Sequence, residues 1–170
     1  MFNKYIPLIL LAALAAPSFA EDRDHGKAED RTVLRFESMY AVDGAFLTPE
    51  GATDPNMRGI VGDYQTWKIK KFIKGELSAA GKLNVEVRGL VFPNAPNDED
   101  HFRAAVSCLT ADNGDMVAQN IITDPFPTGP EGNANIKAHL QLPSPCVAPV
   151  VLILNGNPAE GDAWFAVSGF

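Results

Sequence analysis

The chain has 170 residues and a formal net charge of −7, from 21 Asp and Glu against 14 Lys and Arg. This acidic balance argues against nucleic acid and anionic lipid as partners, because their phosphate groups repel such a surface. The length and the 46% share of hydrophobic residues suit a single domain with its own core.

The first twenty residues have the three-part layout of a secretory signal peptide. Lys4 supplies the positive charge, residues 6–16 form the apolar run, and Ser18-Phe19-Ala20 has the small residues that precede a cleavage site. The apolar run is about half as long as a membrane-spanning helix, and Glu21 stands where a lipoprotein carries cysteine. We therefore expect cleavage after Ala20, a secreted or periplasmic bacterial protein, and no stable insertion in a membrane.

The predicted mature chain begins with a charged segment. Residues 21–31, EDRDHGKAEDR, carry a charge at nearly every position and show no hydrophobic period. Such a segment buries too little apolar surface to fold, so we predict a disordered arm. Residues 32–170 are predicted to form one β domain.

This domain is predicted from short strand-forming segments that clusters of Gly, Pro, Asn and Asp separate. The alternation is clearest where Leu83, Val85 and Val87 are interleaved with polar residues, which indicates a half-buried strand. The other predicted strands cover residues 33–42, 67–73, 102–110, 116–123, 134–142, 150–154 and 163–167. No long helix is predicted.

One of these segments, residues 102–110, fits a helical face as well as a strand, and the three acids at 98–100 are of the kind that stabilise a helix N-terminus. We predict a strand because the neighbouring segments are strands. Asp112-Asn113-Gly114-Asp115 then reads as a hairpin turn, since Asn and Gly tolerate positive φ. Together the segments predict an all-β fold, an antiparallel two-layer sandwich of Greek-key or jelly-roll type.

Cys108 and Cys146 are predicted to form a disulfide, because an even number of cysteines in an exported chain favours pairing. The bridge would close a long loop, which the chain-entropy model values at about 4 kcal/mol. The alternative is a reactive or metal-binding cysteine, which an oxidising compartment disfavours.

Three groups of residues have the chemistry of metal ligands. His101 and His139 would meet only if their strands were neighbours. Two oxygen-rich turns are candidates for calcium, although neither has the EF-hand spacing and turn propensity explains both equally well. They are Asp112, Asn113 and Asp115 in one turn, and Asn155, Asn157, Glu160 and Asp162 in the other. No cofactor is predicted.

Catalytic motifs are absent from the sequence: it has no Gly-x-Ser-x-Gly elbow, no His-Glu-x-x-His helix and no phosphate-binding glycine loop. This favours a noncatalytic binding or interaction module over an enzyme such as a hydrolase. We expect its ligand to be extracellular or part of the cell envelope, and the sequence does not identify it. Aromatic side chains could form the binding surface, although most aromatics in β domains belong to the core. The candidates are Trp67, Trp164 and Phe126, together with Tyr40, Tyr64 and Phe92.

Four further segments are notable for their joint order and spacing. They are VRGLVF at 87–92, FRAAVSCLT at 102–110, LPSPCVAPVV at 142–151 and AWFAVSG at 163–169. In that arrangement the chain resembles a group of secreted bacterial proteins of uncharacterised activity, from about Phe36 onward. The resemblance implies an exported β domain with the same two cysteines, and it transfers no catalytic residue.

Overall fold

The computed structural model describes residues 31–44, 56–95 and 97–169, which form eleven strands and one short 3-10 turn, Pro158–Glu160. The predicted signal peptide and the charged arm lie outside the described residues, except for Arg31. The strands are β1 (Thr32–Phe36), β2 (Met39–Ala41), β3 (Val61–Gly62), β4 (Lys68–Ser78), β5 (Lys82–Val91), β6 (His101–Asp112), β7 (Asp115–Ile122), β8 (Phe126–Pro127), β9 (Ala134–His139), β10 (Val147–Asn155) and β11 (Ala163–Ser168).

The strands form two sheets that enclose one hydrophobic core. Sheet A has the strand order β1-β4-β5-β9, and sheet B has the order β2-β11-β10-β6-β7. Strand β8 pairs with the start of β6, and β3 pairs with β11. Among the described strands every pairing is antiparallel except the two-residue contact of β3 with β11. The predicted all-β, antiparallel two-layer sandwich is confirmed.

The inner face of sheet A follows directly from the alternating sequence. On β5 the side chains of Leu83, Val85 and Val87 are buried, whereas Lys82 and Asn84 are exposed. Successive residues of a strand point to opposite faces, so one face of β5 enters the core and the other meets solvent. The predicted half-buried strand is confirmed.

Strand β6 is buried on both faces, because every residue from 102 to 108 is buried. Residues 56–60 lie against β6 and its neighbour β7. Arg58 donates from Nη1 to the carbonyl of Ser107 at 3.0 Å, and Asn120 donates from Nδ2 to the carbonyl of Arg58 at 3.0 Å. Apart from Arg103, small and apolar residues occupy both faces of the strand over residues 102–108, which explains why its sequence also fits a helix. The prediction of a strand is confirmed.

The prediction of a single first strand over residues 33–42 is wrong. The chain turns at Glu37 and Ser38, so that β1 pairs with β4 in sheet A and β2 pairs with β11 in sheet B. Both halves have strand-forming residues, and only the tertiary pairing separates them. One continuous segment of the sequence thus contributes to both sheets.

The hairpin between β6 and β7 turns at Asn113 and Gly114, whose φ angles are 49° and 94°. These positive angles are the reason for Asn-Gly at this point, and the predicted turn is confirmed.

Cys108, in β6, forms a disulfide with Cys146, which directly precedes β10, and their Cα atoms are 4.9 Å apart. Strands β6 and β10 are neighbours in sheet B, so the bridge joins adjacent strands. The predicted disulfide is confirmed. Within the described ranges, no helix has the length and apolar character needed to cross a membrane.

Candidate functional site

A cleft of about 1000 Å³ lies at the end of the sandwich where β5 and β10 end and where β6 and β11 begin. Its walls include residues 61–65, 98–101 and 155–158, which connect or terminate these strands. The antiparallel pairing of the strands therefore brings distant parts of the sequence together around one cavity.

Five carboxyl groups line this cleft, and they belong to Asp63, Asp98, Glu99, Asp100 and Glu160. Among the described lining residues there is no Lys or Arg, and His101 is the one side chain that can become a cation. In the described part of the chain, none of the five carboxylates belongs to an ion pair. A concave surface with charges of one sign concentrates their potential, so the cleft is strongly negative.

The base of the cleft is aromatic. Phe92 and Phe165 line it, and Trp67 lies buried behind them. The Trp67 ring stacks on Phe165 with centroids 4.0 Å apart and contacts Phe92 at 4.3 Å. The indole Nε1 of Trp67 donates to Oδ2 of Asp63 at 2.5 Å. This hydrogen bond fixes a nearly buried carboxylate beside the apolar base.

Glu99 lies in the loop before β6, and Asn97 holds this loop in place. The buried Asn97 side chain donates to the carbonyl of Glu99 at 2.9 Å and accepts from its amide at 3.3 Å. Oε2 of Glu99 accepts from the amide of Gly156 at 3.5 Å across the cleft wall. Burial raises the pKa of the Glu99 carboxyl, and neighbouring carboxylates raise it further, whereas the Gly156 hydrogen bond lowers it. Glu99 therefore keeps its proton to a higher pH than an ordinary glutamate.

The neighbouring wall, which includes Asn155 and Gly156, is held by a buried arginine. Arg103 donates from Nε to the carbonyl of Asn155 at 2.8 Å and from Nη2 to its Oδ1 at 3.1 Å. The same Nη2 pairs with Oδ1 of Asp162 at 2.9 Å. In the following 3-10 turn, Asn157 donates from Nδ2 to Oε1 of Glu160 at 2.8 Å. The four residues of this oxygen-rich turn, one of the two calcium candidates, are thus engaged by a guanidinium and by each other.

The other metal candidates also fail to form a cluster. His101 lines the cleft, whereas His139 pairs with Lys82 in sheet A, so their strands are not neighbours and the two histidines do not meet. Asp112, Asn113 and Asp115 lie exposed at the tip of the β6–β7 hairpin. Among the described residues no group of three or more His, Cys, Asp and Glu is arranged to hold a metal ion.

The predicted aromatic surface requires a correction. Trp67 is 1% exposed and Trp164 is 0% exposed, so both belong to the core and neither presents a ring to a ligand. Phe126 is half-buried and packs against the core. The proline-rich loop therefore exposes only part of this ring. Of the six aromatic candidates, Tyr64 and Phe92 line the cleft.

The sequence did not identify Asp63 and Glu99 as site residues. Asp63 lies four positions before the tryptophan that it binds, a spacing with no functional signature. The acids at 98–100 fit a helix cap, whereas in the structure they form a wall of the cleft. The available signal was the concentration of acids directly before a strand that is buried on both faces.

The cleft thus combines a cavity of ligand size, an aromatic base and unneutralised carboxylates. Comparisons of the chain with protein-family models, with curated proteins and with solved structures found no match.

Proposed function

We propose that this protein is a noncatalytic binding module, secreted or periplasmic in a bacterium, which takes a small ligand into the cleft. The observation that carries the proposal is the cleft of about 1000 Å³. Its volume is that of a small-molecule site, where apolar contacts give affinity and a few polar groups give orientation.

Three observations support an extracytoplasmic location. The first twenty residues have the layout of a signal peptide. The Cys108–Cys146 disulfide fits an oxidising compartment, because cytosolic thiols are kept reduced. Four segments resemble secreted bacterial proteins, as described above.

Binding is favoured over catalysis because the titratable groups of the cleft are not linked to one another. Covalent catalysis uses a nucleophile within hydrogen-bonding reach of a base. Within the described residues, no hydrogen bond joins the His101 ring to a carboxylate or a hydroxyl group. Both cysteines of the chain are in the disulfide, so neither is a nucleophile.

A second function, an extracytoplasmic hydrolase, is favoured by one observation. Glu99 has a raised pKa and lies in a cleft with other carboxyl groups, which is the arrangement of a general acid. In this alternative Glu99 would donate a proton to the leaving group. A neighbouring carboxylate would take a proton from the water that attacks the bond from the opposite side.

The test is a ligand screen of the purified exported protein by thermal shift and calorimetry, with glycans, metal ions, amines and cell-wall fractions. Val61 lines the cleft and is 42% exposed, and Val33 on β1 is 39% exposed outside it. We expect Val61→Trp to obstruct the cleft and to abolish the response to the ligand, whereas Val33→Trp retains it. An equal response in both variants would contradict binding in the cleft. If the protein hydrolyses the ligand and Glu99→Gln abolishes this turnover, the protein is a hydrolase instead.

A further inference from the structure

We infer that the ligand of the cleft is an organic cation, a small molecule that carries an alkylated ammonium group. This inference rests on the proposed function and names the ligand class of the same site. It comes from one juxtaposition, in which unneutralised carboxylates and aromatic rings line the same cavity.

The charge of the cleft selects for a cation. Five carboxyl groups line it, without a Lys or Arg among the described lining residues. Arg103 lies behind the neighbouring wall, but its guanidinium is engaged by Asn155 and Asp162, and Asp162 does not line the cleft. The field of the five groups is therefore not cancelled within the described structure, and an anionic ligand would be repelled.

The aromatic rings select for an alkylated cation. Phe165 at the base is 2% exposed and stacks on Trp67, so it closes the cleft without presenting its ring to a ligand. Phe92 is half-buried and Tyr64 is 70% exposed, and both line the cleft. The faces of such rings attract cations, and quaternary ammonium groups are recognised in this way. An alkylated ammonium also loses little hydration on entering a partly apolar cleft, whereas a bare ammonium loses more.

Two other ligand classes fit less well. A metal ion would need at least three converging ligands, and the described residues contain no such group of His, Cys, Asp and Glu. A neutral sugar could stack on the rings, but it would leave the carboxylates without a counter-charge in a concave site. An organic cation satisfies both the rings and the carboxylates, and its body fills more of the volume.

Of the five carboxylates, Glu99 is the one whose ionised form such a ligand stabilises most. It is half-buried, and Asp98 and Glu160 lie near enough to repel its negative charge. A cation beside it compensates for the lost hydration and reduces the repulsion. Glu160 is more exposed and is held by Asn157, so we expect it to contribute less.

The experiment measures binding of choline to the purified exported protein by calorimetry at fixed ionic strength, with 3,3-dimethylbutan-1-ol as its neutral isostere. We expect choline to bind at least about tenfold more tightly than the neutral isostere, because both have the same shape and only one is charged. Glu99→Gln and Tyr64→Ala should each weaken choline binding by about fivefold or more. Glu37→Gln and Tyr40→Ala are the matched controls, since both residues are exposed and neither lines the cleft, and they should leave binding unchanged.

Each other outcome overturns a defined part of the argument. If the neutral isostere binds as tightly as choline, the cleft is only an apolar cavity. If Glu37→Gln weakens binding as much as Glu99→Gln, the attraction belongs to the whole acidic surface. If choline does not bind but Val61→Trp abolishes the binding of another ligand, the ligand class is wrong and the proposed function stands. If Val61→Trp weakens the binding of no ligand in the screen, the proposed function itself fails.

Discussion

Glu99 ionises at a cost that an exposed glutamate does not have. Its carboxyl group is half-buried, and three other carboxylates, those of Asp98, Glu160 and Asp63, raise its pKa further. His101 and Asp100 line the same cleft. A raised pKa means that the folded protein binds the Glu99 proton more tightly than the unfolded chain does. Above the raised pKa, ionised Glu99 therefore destabilises the fold, and this effect disappears as the pH falls below the ordinary value of 4.5.

We predict that Glu99→Gln raises the melting temperature at pH 7 by about 1 to 3 °C, because glutamine keeps an acceptor for Gly156 without the buried charge. The gain should shrink as the pH is lowered through the raised pKa towards pH 4. Melting curves from pH 4 to 8 measure it, with exposed Glu37→Gln as the control. A gain that is the same at every pH would show that the charge is not the cause.

The hydrogen bond between Trp67 and Asp63 gives a second prediction for single residues. Asp63→Ala leaves the buried indole N–H without its partner, so we expect a loss of about 1 to 3 kcal/mol in the free energy of unfolding. Asp63→Asn keeps an oxygen acceptor and should lose less. Urea unfolding measures both variants. In a Trp67→Phe background the donor is absent, and if Asp63→Ala costs as much there, the bond does not stabilise the fold.

Among the elements, the hairpin between β6 and β7 depends on backbone conformation at Gly114. Its φ is 94°, and an added Cβ would meet no atom within 4 Å. Gly129 is equally open but has no positive φ. We predict that Gly114→Ala lowers the free energy of unfolding by about 1 kcal/mol, whereas Gly129→Ala changes it little. Equal effects of the two substitutions in thermal unfolding would refute the conformational explanation.

The sequence predicts an element well where its two faces differ. Strand β5 has one buried and one solvated face, so its alternation of Leu83, Val85 and Val87 is unambiguous. Strand β6 is buried on both faces, and its pattern therefore fits a helix as well. The division of residues 33–42 between the sheets is not visible in the sequence, because the pairing partners of β1 and β2 lie far away in the chain.

At the scale of the whole molecule, the site was less predictable than the fold. Asp63, Glu99 and Glu160 come from three separate connections, and they meet only because β5, β6, β10 and β11 end or begin at the same end of the sandwich. The disulfide was predictable because compartment and number of cysteines suffice for it. A cleft depends on topology, which single segments do not specify.

The disulfide acts on the whole molecule because the chain between Cys108 and Cys146 contains β7 and β8 of sheet B and β9 of sheet A. We predict that reduction lowers the free energy of unfolding by about 4 kcal/mol, measured by urea unfolding with and without reductant. Since the loop that the disulfide closes passes through both sheets, we expect urea unfolding to show a single transition with and without reductant. Two alkylated thiols in the intact mass of the nonreduced protein would contradict the bridge.

The position of β11 has a consequence for how the chain is made. Strand β11 lies between β2 and β10, so one of the first described strands pairs with the last. During synthesis β2 has no partner in sheet B until β11 has left the ribosome. Pairing between such distant segments is slow, because the chain must close a long loop before any contact compensates for the lost entropy. Sheet B is therefore completed only after the last described strand has been synthesised.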